Sequence, residues 1–154
     1  MARPAGLPDD EELVALLPVR FSIALPHHVD AAPSPTIVGS VVQRRAFSAW
    51  CDRATAVDFP VAGPEMILGV TAHQVLVWRP ALIRSRPKRF AGAIPIERIR
   101  RAGVRRRVFS SVLAMMFEEG ELLGVETMRG RRLDAFAAAI PTYTGRVTGR
   151  TRNG

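Results

Sequence analysis

The sequence predicts an α+β fold: a bent antiparallel sheet or partly open barrel of about six to seven strands, capped by a C-terminal amphipathic helix and preceded by N-terminal helices. Three observations carry that prediction. Between Glu65 and Met128, short apolar runs alternate with turn residues, as in EMILGV, QVLVWRP, FAGAIPI, SVLAMMF and LLGVETM. After them, Leu133, Phe136, Ala137 and Ile140 fall at i, i+3, i+4 and i+7, an amphipathic stripe that Pro141 ends. Before them, two stretches up to about Val57 carry helical signals. The 154 residues suffice for one core, and a composition 47% hydrophobic and 23% charged is that of a globular chain. The expected organisation is a helical segment packing on the sheet over 1–60, an antiparallel β domain with its capping helix over 61–141, and a basic tail over 142–154.

Taken in order, LPDDEELVALLP reads as a short helix. Asp9 caps it, Glu12 completes a capping box, Leu13, Leu16 and Leu17 form its stripe, and Pro18 stops it. In VRFSIAL, Val19, Phe21, Ile23 and Leu25 alternate with Arg20, Ser22 and Ala24, the period of a strand with one buried face. PHHVDAAPSP is a loop by its prolines. Thr36 then caps a second helix reaching about Val57, with Trp50 on its apolar side and Arg44, Arg45 and Arg53 interrupting the pattern.

From Glu65 onward the signals are β. EMILGV and QVLVWRP flank the four-residue turn Thr71 to Gln74, a hairpin. FAGAIPI, a short segment ERIRRAG and the strand VRRRVF follow. SVLAMMF and LLGVETM meet across EEGE, whose Glu119-Gly120 centre suits a tight turn. Pairing about that centre groups Leu113, Met115 and Phe117 with Leu122 and Met128, and Val112, Ala114 and Met116 with Leu123 and Val125. Both faces are then apolar, which asks for cover on both sides, from the N-terminal segment or from a second copy in a homo-oligomer.

Charge is the other informative property. The net charge is +8, and Lys88 is the sole lysine among 22 basic residues. The charge is unevenly laid down: net −3 over 1–30, neutral over 31–78, +10 over 79–107, −4 over 108–128 and +5 beyond. A high Arg/Lys ratio follows from base composition alone, but clustering does not. In WRPALIRSRPKRF, from Trp78 to Phe90, Arg79, Arg84, Arg86, Lys88 and Arg89 share one inter-strand connection stiffened by Pro80 and Pro87. Arg105 and Arg107 share one strand face with Phe109, while Arg106 lies on the other with Val104.

LGVTAHQVLVWRP, then IPIERIRRAGV, then a meander and a final amphipathic helix resemble the bacterial pleckstrin-homology-like fold and its GRAM-like relatives. The resemblance covers about Glu65 to Ile140. Its turn reads TAHQ where related sequences carry an Asp or Asn and an Arg. The resemblance implies a strongly bent antiparallel sheet closed at one end by the C-terminal helix, and an adaptor for lipids, peptides or proteins rather than a catalyst. In lipid-binding members, basic residues on an early inter-strand loop meet phosphates.

Catalytic chemistry has little to stand on. His27 and His28, near Asp30, occupy a proline-flanked loop, and His73 a hairpin turn. Adjacent loop residues rarely converge on one centre, and no recognised metal spacing accompanies them, so neither a metal nor a cofactor is expected. No Gly-rich phosphate loop or nucleophile elbow occurs. The lone Cys51 permits no intrachain disulfide and fits a small buried residue in a reducing cytoplasm. The start, MARPAGLPDDEEL, is acidic where a secretory signal is basic and then apolar. The expectation is therefore a cytoplasmic, non-enzymatic binding domain, able to act peripherally at a membrane. Its anionic ligand, a lipid surface or an acidic protein, is met by Arg79, Arg84, Arg86, Lys88, Arg89, Arg105 and Arg107. Non-specific nucleic-acid binding through the same residues and the tail is the alternative, weakened by the scarcity of aromatics between the charges.

Overall fold

Alternating apolar residues make a strand where the chain first turns hydrophobic, but that strand begins earlier than the periodicity suggests. The computed structural model describes residues 3–22, 35–81, 86–128 and 130–140. Its first element is β1 (Ala15–Phe21), followed by helix α1 (Pro35–Ala56) and strands β2 (Glu65–Val70), β3 (Gln74–Pro80) and β4 (Pro87–Pro95). A 3₁₀ turn (Ile96–Arg98) leads into β5 (Ile99–Arg106), β6 (Ser111–Phe117), β7 (Leu122–Thr127) and helix α2 (Gly130–Ala138). The strands form one antiparallel sheet in the order β4-β3-β2-β1-β7-β6-β5. Two meanders, β1 to β4 and β5 to β7, thus join through β1 and β7. The fold is α+β, as expected.

The first helix does not form. Residues 3–14 run along the outer face of the sheet with turns at Ala5-Gly6 and Asp9-Asp10, and Leu16 and Leu17 belong to β1. A helix of that length is marginal without tertiary support. Here the support goes the other way: Leu7, with Leu13 and Leu16 beside it, packs on Ile67, Leu76 and Trp78, which point away from the main core. A strand also lets Leu17, Val19 and Phe21 all face that core, which the helical stripe could not. Glu11, one residue before the expected capping-box Glu12, accepts the Thr71 hydroxyl proton at 2.5 Å and an amide proton of Gln74 at 3.3 Å. The segment is strapped to the β2–β3 turn, whose backbone N–H groups at His73 and Gln74 donate to the same Thr71 oxygen.

The second helix forms over nearly the expected span, but it starts at Pro35, a favoured first position, so Thr36 lies inside its first turn and not at its cap. Its end is a Schellman arrangement with Asp58, at φ 60°, in place of the usual glycine: Phe59 N–H donates to the Ala54 carbonyl and Asp58 N–H to that of Thr55. The reversal drives Phe59 under Trp50 at a ring separation of 6.2 Å and against Phe117 at 6.1 Å. Trp50 is fully buried and its indole N–H reaches the Gly124 carbonyl at 2.8 Å. Ser22 N–H shares that carbonyl. This matters because, among the described residues, β1 and β7 pair through only Arg20↔Glu126 and Phe21↔Val125. Helix α1 closes the seam between the meanders.

Two registers differ from expectation, for one reason each. The β6–β7 loop has three residues, Glu118 to Gly120, with Gly120 at φ 90° and Phe117 N–H bonded to the Glu121 carbonyl. That geometry is a turn closed by a left-handed glycine. It pairs Leu113 with Val125 and Met115 with Leu123, one residue from the register centred on Glu119-Gly120. Leu123 and Val125 therefore join Leu113, Met115 and Phe117 in the core, while Leu122 is half-buried on the other side and Met128 is exposed. Strand β5 begins at Ile99, not Val104, because a bulge at Arg100 brings Ile99 and Ala102 to one face despite their odd spacing.

All seven strands give one face to a single core, completed by Trp50, Ala54 and Val57 from α1 and by Leu133, Phe136 and Ala137 from α2. Helix α2 packs on β1, β5 and β6. Its predicted stripe is buried throughout, with Ile140 also buried just past the helix end.

Candidate functional site

The β3–β4 hairpin carries the basic connection, and cross-strand pairing sets which charges meet. Trp78 faces Phe90, Arg79 faces Arg89, and Pro80 faces Pro87. The pairing is irregular in two places, leaving Ala91 and Lys88 as extra residues on β4. Ala81 N–H to the Arg86 carbonyl closes the base of the connection at 2.9 Å. Arg84 lies outside the described residues, as do His27, His28, Asp30 and the tail 142–154.

Below the charges sits an anchor. Trp78 is fully buried on the outer face, its ring 6.0 Å from Phe90, and its indole N–H donates to the Ala5 carbonyl at 2.6 Å. Gly6, at φ 84°, lies so close that a Cβ there would fall 2.3 Å from the Phe90 ring. The N-terminal strap and the aromatic pair together hold the root of the hairpin, so its charges project from a fixed base. Arg3 fastens the strap internally, donating to the Pro8 and Glu11 carbonyls.

Arg79, Arg86, Lys88 and Arg89 are all exposed. Among the described residues no carboxylate comes within ion-pair distance of any of them; the side-chain contact of Arg79 is a long 3.4 Å bond from Nε to the Ala62 carbonyl. Like charges directly opposite on a sheet are unfavourable by a few tenths of a kcal/mol to about 1 kcal/mol, so the Arg79–Arg89 pair is an unfavourable feature of the fold. The basic run is not uniform, however. Arg98 is held by Glu119 at 2.7 Å and Asp58 at 3.4 Å; desolvation opposes its charge, but the two carboxylates together outweigh it and favour the charged form. Arg106 is held by both carboxylate oxygens of Asp134, at 2.5 and 2.7 Å.

Arg105 and Arg107 are exposed too, but on the β5–β6 hairpin. In strand order that hairpin and the β3–β4 hairpin stand at the two extremes, with β2, β1 and β7 between them. The residues grouped by sequence thus divide into a β3–β4 rim and a separate β5–β6 set. Arg106 is separated from Arg105 as the alternation predicts, on the core side with Val104. The strand ends at Arg106, however, so Arg107 and Phe109, expected on one strand face with Arg105, lie in the β5–β6 turn instead. Sequence reasoning did not find the strap, whose signal was only a pair of prolines and a glycine before the acidic run.

His73 is exposed in the β2–β3 turn, its carbonyl receiving Ile96 N–H at 2.9 Å. Cys51 is half-buried on α1, and burial followed by the neighbouring Asp52 charge pushes its thiol above the ordinary range. Among the described residues no group of three His, Cys, Asp or Glu side chains is placed to share a metal, and no helix is long and apolar enough to cross a membrane. No protein-family model matches the chain, and no curated protein matches it significantly. The functional reading therefore rests on geometry.

Proposed function

We propose that this chain is a non-enzymatic interaction domain of the pleckstrin-homology-like kind, working in the cytoplasm or at the membrane periphery, that reads an anionic surface with its β3–β4 rim. The observation that carries the reading is the cluster Arg79, Arg86, Lys88 and Arg89: exposed, without acidic partners among the described residues, and seated on a hairpin rooted by Trp78 and Phe90. Two adjoining arginines set opposite one another raise the free energy of the fold, and an anionic ligand would lower it. The kinship is supported by the double meander, by a helix after the last strand that packs on both β1 and β5, and by one core that takes a face from every strand. Those features suit a sheet curled on itself. Helix α1 between β1 and β2 is an addition to that plan.

Near an anionic membrane each basic residue contributes about 1 kcal/mol, so the four described charges support adsorption of roughly a thousandfold that weakens with salt. The test is the triple variant Arg86→Glu, Lys88→Glu, Arg89→Glu, compared with wild type on anionic vesicles, heparin and duplex DNA at matched salt. The expected outcome is a loss of about a hundredfold or more on the preferred ligand with unchanged melting. Equal retention of variant and wild type on all three would end the proposal; preference for duplex DNA over vesicles would transfer it to nucleic acid.

A further inference from the structure

Among the described residues four large apolar side chains stand exposed, and three of them gather at one turn: Val108 at 87%, Phe109 at 81% and Met128 at 77%. Val108 and Phe109 form the tip of the β5–β6 hairpin, in the turn Arg107 to Ser110 that is closed by Arg107 N–H to the Ser110 carbonyl at 2.7 Å. Met128 follows Thr127, whose cross-strand partner is Ser111, so it stands beside the base of the same turn. Chains reverse on Gly, Asn, Asp, Ser and Pro because these permit or satisfy turn backbone. Val and Phe do neither, and here neither is buried. Where a local rule fails without a packing gain, a functional demand is the usual reason.

Shape and charge narrow that demand. Two adjacent side chains on a hairpin tip make a small convex knob, too little for a stable protein interface of more than about 1,000 Å² but suited to the boundary between headgroups and acyl chains. Behind the knob, Arg107 in the turn and Arg105 and Arg101 on one face of β5 are exposed, as are Arg131 and Arg132 at the start of α2. The carboxylates nearby are Asp134, engaged by Arg106, and Glu126, which lies opposite Arg20 and is separated from Arg105 by β6. The Arg106–Asp134 pair ties the hairpin base to α2, so the knob is carried on a braced element.

We propose that the β5–β6 turn is a membrane-inserting element: Val108 and Phe109 enter the interface of an anionic bilayer while Arg105 and Arg107 meet its phosphates. The inference stands on the turn itself and does not depend on the β3–β4 rim. Apolar insertion and a basic collar are the two signals that membrane adsorption requires together.

The experiment uses the full chain with vesicles of phosphatidylcholine and phosphatidylserine. With Phe109→Trp, brominated acyl chains should quench the new fluorophore, whereas the native Trp50 and Trp78 are fully buried and remain unquenched. The double variant Val108→Ser, Phe109→Ser should lower vesicle partitioning about tenfold or more while leaving heparin retention and melting unchanged. Absence of quenching on vesicles that do bind the protein would overturn the proposal. So would a double variant that binds like wild type while the Arg86, Lys88, Arg89 reversal abolishes binding, which would leave the rim reading intact. Self-association lost in the double variant without lipid quenching would assign the turn to a second copy and overturn the membrane role. No binding of wild type to vesicles would also overturn it, and heparin retention would then judge the rim separately.

Discussion

Gly69, the penultimate residue of β2, lies under the indole of Trp78. A Cβ built there would fall 2.7 Å from the Trp78 Cζ3, 3.0 Å from its Cη2 and 2.8 Å from a Leu13 methyl. Carbon atoms rest comfortably at about 3.5–4.0 Å, so Gly69→Ala forces displacements of nearly an ångström. Leu13 is half-buried and can yield, but Trp78 is fully buried and tethered to Ala5. Overpacking of this kind costs about 1–3 kcal/mol, offset by roughly 0.5–1 kcal/mol because alanine suits a strand better than glycine. The expected net loss is about 1–2 kcal/mol, which for a chain of this size lowers the melting temperature by roughly 2–8 °C. The assay is urea unfolding, where the midpoint should fall with the slope unchanged. The second measurement is limited proteolysis: cleavage within residues 3–14 should accelerate, since the clash lifts the strap. A double-mutant cycle isolates the cause, because Gly69→Ala should cost much less in a Trp78→Phe background. An unchanged midpoint, or strict additivity with Trp78→Phe, would refute the claim that the strap, Trp78 and β2 form one packed layer.

Other expectations follow from the same geometry. Trp50→Phe should cost roughly 2–3 kcal/mol in urea unfolding, through a lost indole bond and a cavity, without orphaning the Gly124 carbonyl that Ser22 still serves. Gly120→Ala should cost about 1–2 kcal/mol from left-handed backbone strain alone, because the space around that position is open; a neutral result would argue against the three-residue loop. Cys51 should alkylate slowly at neutral pH and faster as pH climbs beyond the ordinary thiol range, the folded state favouring the protonated form; its contribution to stability is present at lower pH and lost as pH rises through the raised pKa. The exposed Arg106–Asp134 pair should show a coupling of no more than about 1 kcal/mol in a double-mutant cycle, shrinking with salt.

Much of the fold was legible because it is written in local patterns. The α2 stripe, the β2–β3 hairpin with its threonine and the late β strands all follow from side-chain period, which the chain carries within a few residues. The departures occur where a local pattern has two solutions. Leu13, Leu16 and Leu17 satisfy a helical stripe, but Leu17 also continues the alternation of Val19 and Phe21, and only exposed apolar surface at Trp78 selects the strand. Ile99 and Ala102 are out of step until a bulge realigns them, and a bulge has no signature in side-chain order. The β6–β7 register depended on whether two or three residues make the turn, a choice that reverses every face.

Composition and order by themselves decided that positive charge would crowd between Trp78 and Arg107, because charge is a property of residues and needs no partner to exist. They could not decide which of those charges are spent: Arg98 and Arg106 find carboxylates contributed by distant elements, whereas Arg79 and Arg89 find each other. Exposure, too, belongs to the folded chain, since Phe109 and Phe117 are the same residue type and one stands in water while the other is fully buried. Contacts between residues far apart in sequence arise only when the strands take their places, and the candidate interfaces are made of those contacts and of the side chains left without them.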